Sequence, residues 1–172
     1  ETLVQKLATK KIKLVDLPLL KDIWSERSPG AKKNPVFVHP IERAGKSVSQ
    51  KLSDIRQKME EHGASYHIIS SLDDVAWTLN LRGSDVQANP VFLSYIILSK
   101  NDAKLFVDLE KLDTEARKQM DDSNVKMLPY EDFYSELKTI NGETVLVSPN
   151  SNQSIFESLK EANTFIKAPV PG

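Results

Sequence analysis

Five polar residues close together in this 172-residue sequence form its densest set with a chemical use: Asn80, Arg82, Ser84, Asp85 and Asn89. Arginine offers a permanent cation in a rigid fork, suited to a carboxylate or a carbonyl. Two readings are open. In the first, the segment is a polar connection, with Arg82 paired to Asp85 and Gly83 at positive φ. In the second, Asn80, Arg82 and Asp85 border a substrate cleft. Arg82, at the end of a helix-to-strand crossing, then reaches a neighbouring domain or subunit and fixes a substrate carboxylate or carbonyl. Asn89 precedes Pro90, which biases it to extended backbone and stiffens the loop in either case.

Other chemistries find weaker support. The histidines, His39, His62 and His67, stand in no HxxxH or HxH spacing and beside no carboxylate cluster, so they read as structural or solvated. Asp73–Asp74 and Asp121–Asp122 are chain neighbours, and adjacent side chains on a helix diverge by roughly 100°. Ser84 lacks a GxSxG setting and a nearby histidine, and reads as a turn serine. There is no GxGxxG and no P-loop among six dispersed glycines. No metal ligand and no catalytic residue is assigned.

Composition narrows the classes further. Hydrophobic residues are 40% and charged residues 27%, the profile of an ordinary globular protein. A formal net charge of -1 gives no general attraction to nucleic acid or to anionic membranes. The absence of cysteine excludes disulfides and thiolate metal sites. No apolar run approaches the ~20 residues of a membrane span. The opening residues lack the apolar stretch of a secretory signal and read as the middle of a polypeptide.

The elements that must position the loop follow from periodicity. Leu3, Val4 and Leu7 share a helical face, residues 12–17 read as a short strand, and residues 19–24 as an amphipathic helical turn after Pro18. Residues 25–35, SERSPGAKKNP, read as a linker. The expected division is therefore 1–33, the end of a preceding domain with its linker, and 34–172, the main domain. Residues 35–40 suggest an edge strand boxed by prolines. Ser47 and Gln50 predict a capping box for a helix with Val48, Leu52, Ile55 and Met59 buried and Gly63 ending it. Residues 66–69 read as a strand. Ser71 and Asp74 predict a second box, opening a helix that buries Leu72, Val75, Ala76 and Leu79. Residues 91–98 should be a central strand, turning at 100–102 into a hairpin partner at 104–107. Asp113 caps a helix through Met120. Strands at 125–128 and 144–147, helices at 130–137 and around Ile155, Phe156 and Leu159, and a terminal strand at 164–166 complete the order. Strands alternating with helices around one hairpin predict an α/β fold, a three-layer α/β/α sandwich with a mixed, mostly parallel sheet.

Several stretches carry a resemblance. LDDVAWTLNLRGSDVQANPVFLSY at 72–95 is the most specific, joined by DIWSERSP at 22–29 and KLSDIRQKM at 51–59. They resemble the three-domain Xaa-Pro aminopeptidase (aminopeptidase P) family, at the end of its first domain and through its second. The second domain is similar to the N-terminal domain of creatinases and prolidases. The resemblance implies a parent metallopeptidase that removes the N-terminal residue preceding proline, using two divalent ions, usually manganese. Their ligands belong to a third, pita-bread domain absent from residues 1–172. The segment itself is then expected to hold no cofactor and to be inactive. Its role would be to shape the cleft and support assembly. The implied partners are the catalytic domain of the same polypeptide and proline-containing peptides as parent substrate, with homodimerisation open in the full-length protein, no nucleic acid and no membrane, in the cytoplasm. The alternative is a free-standing binding or scaffold module without peptidase activity.

Overall fold

The computed structural model describes residues 34–159 and 164–167, together with Leu7, Lys10, Ile12 and Val15. The helix expected on Leu3, Val4 and Leu7, the strand at 12–17, the turn at 19–24 and most of the linker lie outside the described residues. The chain forms two units, Glu1–Gly30 and Ala31–Gly172. The second carries the following elements.

The strands are β1 (Phe37–Val38), β2 (Tyr66–Ile69), β3 (Leu81–Arg82), β4 (Ser94–Ser99), β5 (Ala103–Val107), β6 (Val125–Pro129), β7 (Thr144–Val147) and β8 (Thr164–Lys167). The helices are α1 (Ile41–Ala44), α2 (Val48–Glu61), α3 (Leu72–Leu79), α4 (Thr114–Asp122), α5 (Phe133–Leu137) and α6 (Gln153–Leu159). Six strands form one sheet in the order β6-β5-β4-β2-β7-β8, and β1 with β3 makes a separate two-stranded ribbon. In the six-stranded sheet, β4 runs antiparallel to β5 and to β2, and the other described pairings are parallel. The sheet is therefore mixed and mostly parallel, with the apolar strand β4 inside it, as its composition demands.

Each face of the sheet has its own core. On one, α2, α3 and α4 pack Leu52, Ile55, Val75, Leu79 and Met120 against Ile69, Ile96, Leu98, Leu105 and Leu146. On the other, α5 and α6 pack Phe133, Leu137, Ile155 and Leu159 against Ile68, Ile97, Phe106 and Val145. Alternation along β2 and β4 sends successive side chains to opposite cores. This is the three-layer arrangement.

Capping chemistry sets the helix starts. Ser47 Oγ accepts the Gln50 N–H at 3.2 Å and Gln50 Oε1 accepts the Ser47 N–H at 2.9 Å, so the box on α2 is reciprocal. On that helix Val48, Leu52, Ile55 and Met59 are all buried, each stabilising the fold by about 1.5–3 kcal/mol relative to an exposed side chain. Gly63, at φ +66°, closes it. On α3 only half the expected box forms: Ser71 Oγ accepts the Asp74 N–H at 3.5 Å. Aspartate is one methylene shorter than the glutamate or glutamine that normally reaches back.

Among the boundaries that differ from the sequence reading, two bear on the site. Strand β4 begins at Ser94, although Val91 and Phe92 are buried. The backbone before it bonds to the preceding loop instead. Gly83 N–H donates to Pro90 O, Asp85 N–H to Val91 O, and Leu93 N–H to the Asp85 carboxylate. The helix expected at 130–137 divides into a 3-10 turn, Tyr130–Asp132, and α5.

Candidate functional site

The loop between α3 and β4 is built inward. Asn80 ends α3 in the left-handed region, φ 50°, and is 3% exposed. Asparagine tolerates that backbone better than most residues. Its side chain joins two segments: Oδ1 accepts from Lys51 Nζ at 2.6 Å, and Nδ2 donates to Lys46 O at 2.8 Å. Its carbonyl accepts the His39 N–H at 2.7 Å, attaching the β1 segment.

Lys51 is the unexpected member. It lies on the buried face of α2 and is 2% exposed. Its Nζ also donates to Trp77 O at 2.8 Å and stands 4.2 Å from the centroid of the Trp77 ring, a cation–π contact. Its named acceptors are neutral. Burial first, then the Arg82 and Lys46 cations, hold it below the ordinary lysine pKa. Helical spacing was the available signal: Lys51 follows Val48 by three and precedes Ile55 by four, which puts it on the apolar stripe.

Arg82 sits on β3 opposite Phe37 of β1. Its Nη1 donates to Ala76 O at 2.9 Å and to Leu81 O at 2.8 Å, satisfying the end of α3. Half-burial lowers its pKa, and the Asp73 carboxylate acts the other way. Desolvation, then Arg82, Arg43 and Lys51, lowers that of His39. A groove of about 820 Å³ beside this cluster is lined by Lys46, Lys51, Asp54, Ile55 and Trp77 among others.

Asp85 belongs to a different constellation. The Arg82–Asp85 pair of the first reading is replaced by an ion pair from Asp85 Oδ1 to Lys111 Nζ, with the side chains 1% and 4% exposed. Asp85 Oδ2 accepts the Leu93 N–H at 2.8 Å. Lys111 also lines a concavity of about 590 Å³ at the carboxyl ends of β5 and β6, with Leu93, Val107, Pro129 and Tyr130. The expectation of positive φ at Gly83 is corrected: the loop residues with positive φ are Asn80, at 50°, and Ala88, at 62°. Glycine is required at 83 by space, because a Cβ there would lie 2.7 Å from Phe92 Cβ. Ser84 is exposed, and Asn89 Nδ2 donates to Asp73 Oδ1 at 3.2 Å.

The histidines are far from equivalent. His62 caps α2, whereas His67 on β2 is fully buried. A carbonyl only accepts, so His67 Nδ1, 3.0 Å from Leu146 O, carries the proton. Its Nε2 has no hydrogen-bond partner among the described residues, and burial lowers its pKa. Among the described residues no three His, Cys, Asp or Glu side chains form a group able to hold a metal ion. No helix among them is long and apolar enough to cross a membrane.

This sandwich, with its inward-tied loop, defines a class. The sequence profile of the Creatinase/Prolidase N-terminal domain matches residues 27–171, and the chain belongs to that family. Within it, the similarity points to Xaa-Pro aminopeptidases. The chain is 38% identical over 146 residues to a probable Xaa-Pro aminopeptidase P of Arthroderma gypseum, covering 85% of this chain and 23% of that protein. It is 30% identical over 169 residues to the Sordaria macrospora counterpart, covering 98% and 28%. Among solved structures it superimposes on the X-prolyl aminopeptidase of Caenorhabditis elegans, a cytosolic enzyme with a di-nuclear active site. There the TM-score is 0.82 at 29% identity, covering 91% of this chain and 27% of that one. The chain thus spans about a quarter of the length of these relatives.

Proposed function

We propose that this chain is a non-catalytic part of a metal-dependent Xaa-Pro aminopeptidase, a cytoplasmic enzyme that removes the N-terminal residue preceding proline. The match to the C. elegans enzyme over 91% of the chain carries the reading. The described residues do not fit a metal pair, so no catalytic step is assigned to them. Two divalent ions, manganese in this reading, belong to another part of the parent polypeptide. This part shapes the substrate cleft and supports assembly.

Asn80, Arg82 and Asp85 are the candidates for the cleft wall. Arg82 Nη1 is held by two carbonyls, and no acceptor for Nε or Nη2 is present among the described residues. Arg82 is therefore the one of the three with donors left for a substrate carbonyl or carboxylate. Asn80 and Asp85 act by positioning the loop, since their side chains are consumed by Lys51, Lys46, Lys111 and Leu93.

The first test is the coding sequence beyond Gly172: a continuation with spaced Asp, Asp, His, Glu and Glu supports the reading, and a stop codon supports a free-standing binding module. The second is kinetic. In the parent enzyme Arg82→Ala should raise KM or lower kcat/KM, and Arg82→Lys should recover part of the loss. Unchanged kinetics on several Xaa-Pro peptides would remove Arg82 from the cleft.

A further inference from the structure

Among the described residues of the Ala31–Gly172 unit, four large apolar side chains remain exposed: Phe37 at 46%, Ile41 at 47%, Trp77 at 38% and Val86 at 40%. They are not scattered. Phe37 is the cross-strand partner of Arg82, and directly paired residues of an antiparallel ribbon share a face. The Arg82 guanidinium bonds to the carbonyl of Ala76, next to Trp77. Ile41 opens α1 two residues after His39, which is tied to Asn80. Val86 pairs across a two-residue turn with Asn89, whose side chain bonds Asp73, one helical turn before Trp77. Phe37, Arg82 and Trp77 thus neighbour one another where the β1–β3 ribbon meets α3, and Ile41 and Val86 lie on the segments bonded to that corner.

Trp77 is also held in place. The Lys51 ammonium lies against its ring and bonds its carbonyl. Burying a cation among neutral acceptors is costly, and the result is an aromatic with little freedom left to lose on docking. A rigid exposed tryptophan beside an arginine is the composition of an interface hot spot. The size of the patch limits its partner. Four partly exposed side chains amount to on the order of 300 Å², given the 150–250 Å² that an aromatic presents in full. An independent partner needs about 800 Å² per side. A segment tethered in the same polypeptide meets its site at ~mM effective concentration and can manage with less.

We propose that the ribbon–α3 face carrying Phe37, Ile41, Trp77 and Val86 is the surface on which this domain docks to the peptidase portion of its own polypeptide. The partner surface is an apolar socket for Trp77 and Phe37. This rests on the reading of the chain as one part of an Xaa-Pro aminopeptidase, whose relatives are about four times longer. A second copy is disfavoured, because a patch on the order of 300 Å² falls short of the ~800 Å² per side that an untethered partner needs.

Hydroxyl-radical footprinting of the 172-residue chain and of the parent enzyme tests it. Oxidation at Phe37 and Trp77 should fall roughly fivefold in the parent, since aromatics at an interface core lose most of their accessible surface. Equal rates in the two proteins would overturn the assignment. So would protection that grows with concentration in the 172-residue chain alone, which would give the face to a second copy. Xaa-Pro cleavage by the parent is scored separately. Cleavage with equal oxidation rates sinks the docking face alone, whereas protection without cleavage sinks the functional reading and keeps the face only as a contact with the rest of the polypeptide.

Discussion

Replacing Lys111 with methionine removes one half of a buried ion pair while nearly preserving side-chain length. Asp85 is then left with a side chain 1% exposed and a single backbone donor, the Leu93 N–H. Deleting one partner of a buried pair costs about 3–5 kcal/mol, because the other charge has neither water nor counter-ion. For a chain of this length each kcal/mol moves the thermal midpoint by roughly 2–4 °C, so a fall of roughly 6–20 °C is expected. Removing both charges, as Asp85→Leu with Lys111→Met, leaves only the Leu93 N–H orphaned, at about 1–3 kcal/mol. The double variant should therefore be more stable than Lys111→Met alone. Urea unfolding of wild type, both single variants and the double gives the coupling energy directly. A Lys111→Met variant within about 1 kcal/mol of wild type, or a double variant no better than the single, would refute the buried pair.

Three further outcomes follow from single sites. Gly83→Ala drives a Cβ to 2.7 Å from Phe92 Cβ and should cost about 1–3 kcal/mol by overpacking, read by urea unfolding; a neutral substitution would mean the loop can move away. Asn80→Ala removes one of the two acceptors of Lys51 and puts a less tolerant residue at φ 50°, so a loss of about 2–4 kcal/mol is expected by thermal unfolding, and Asn80→Gly should retain part of that loss. His67 has its pKa lowered by burial from the ordinary 6.5, so the unfolded chain binds the proton first. Stability should then decline as pH falls below 6.5, down to the folded pKa, and the decline should be smaller in His67→Gln. Identical pH profiles for the two proteins between about pH 6.5 and 5, above the range of most carboxylates, would contradict a neutral buried imidazole.

The architecture was legible wherever short-range chemistry and burial pointed the same way. Ser47 and Gln50 announced α2, the apolar run around Ile96 announced a central strand, and the Lys100–Asp102 turn announced the hairpin with β5. The misjudged features were tertiary. The run beginning at Val91 reads as strand by composition, but its first residues bond to the 83–85 loop through contacts invisible along the chain. Gly83 reads as a turn glycine, although what it avoids is Phe92, nine residues away. Of the candidate residues, the sequence placed Asn80, Arg82 and Asp85 on one loop. It could not say that the fold sends Asn80 to Lys51 on α2 and Asp85 to Lys111, partners 29 and 26 residues distant. Lys51 alone had a readable clue, its place on the apolar stripe of α2.

Under the proposed function this domain supports a peptidase without performing the cleavage. Purified 172-residue protein, incubated with manganese and an Xaa-Pro peptide, tests that most directly. No release of the N-terminal amino acid and no stoichiometric metal after desalting are the predicted results. Release of that residue by protein carrying bound manganese would contradict the account.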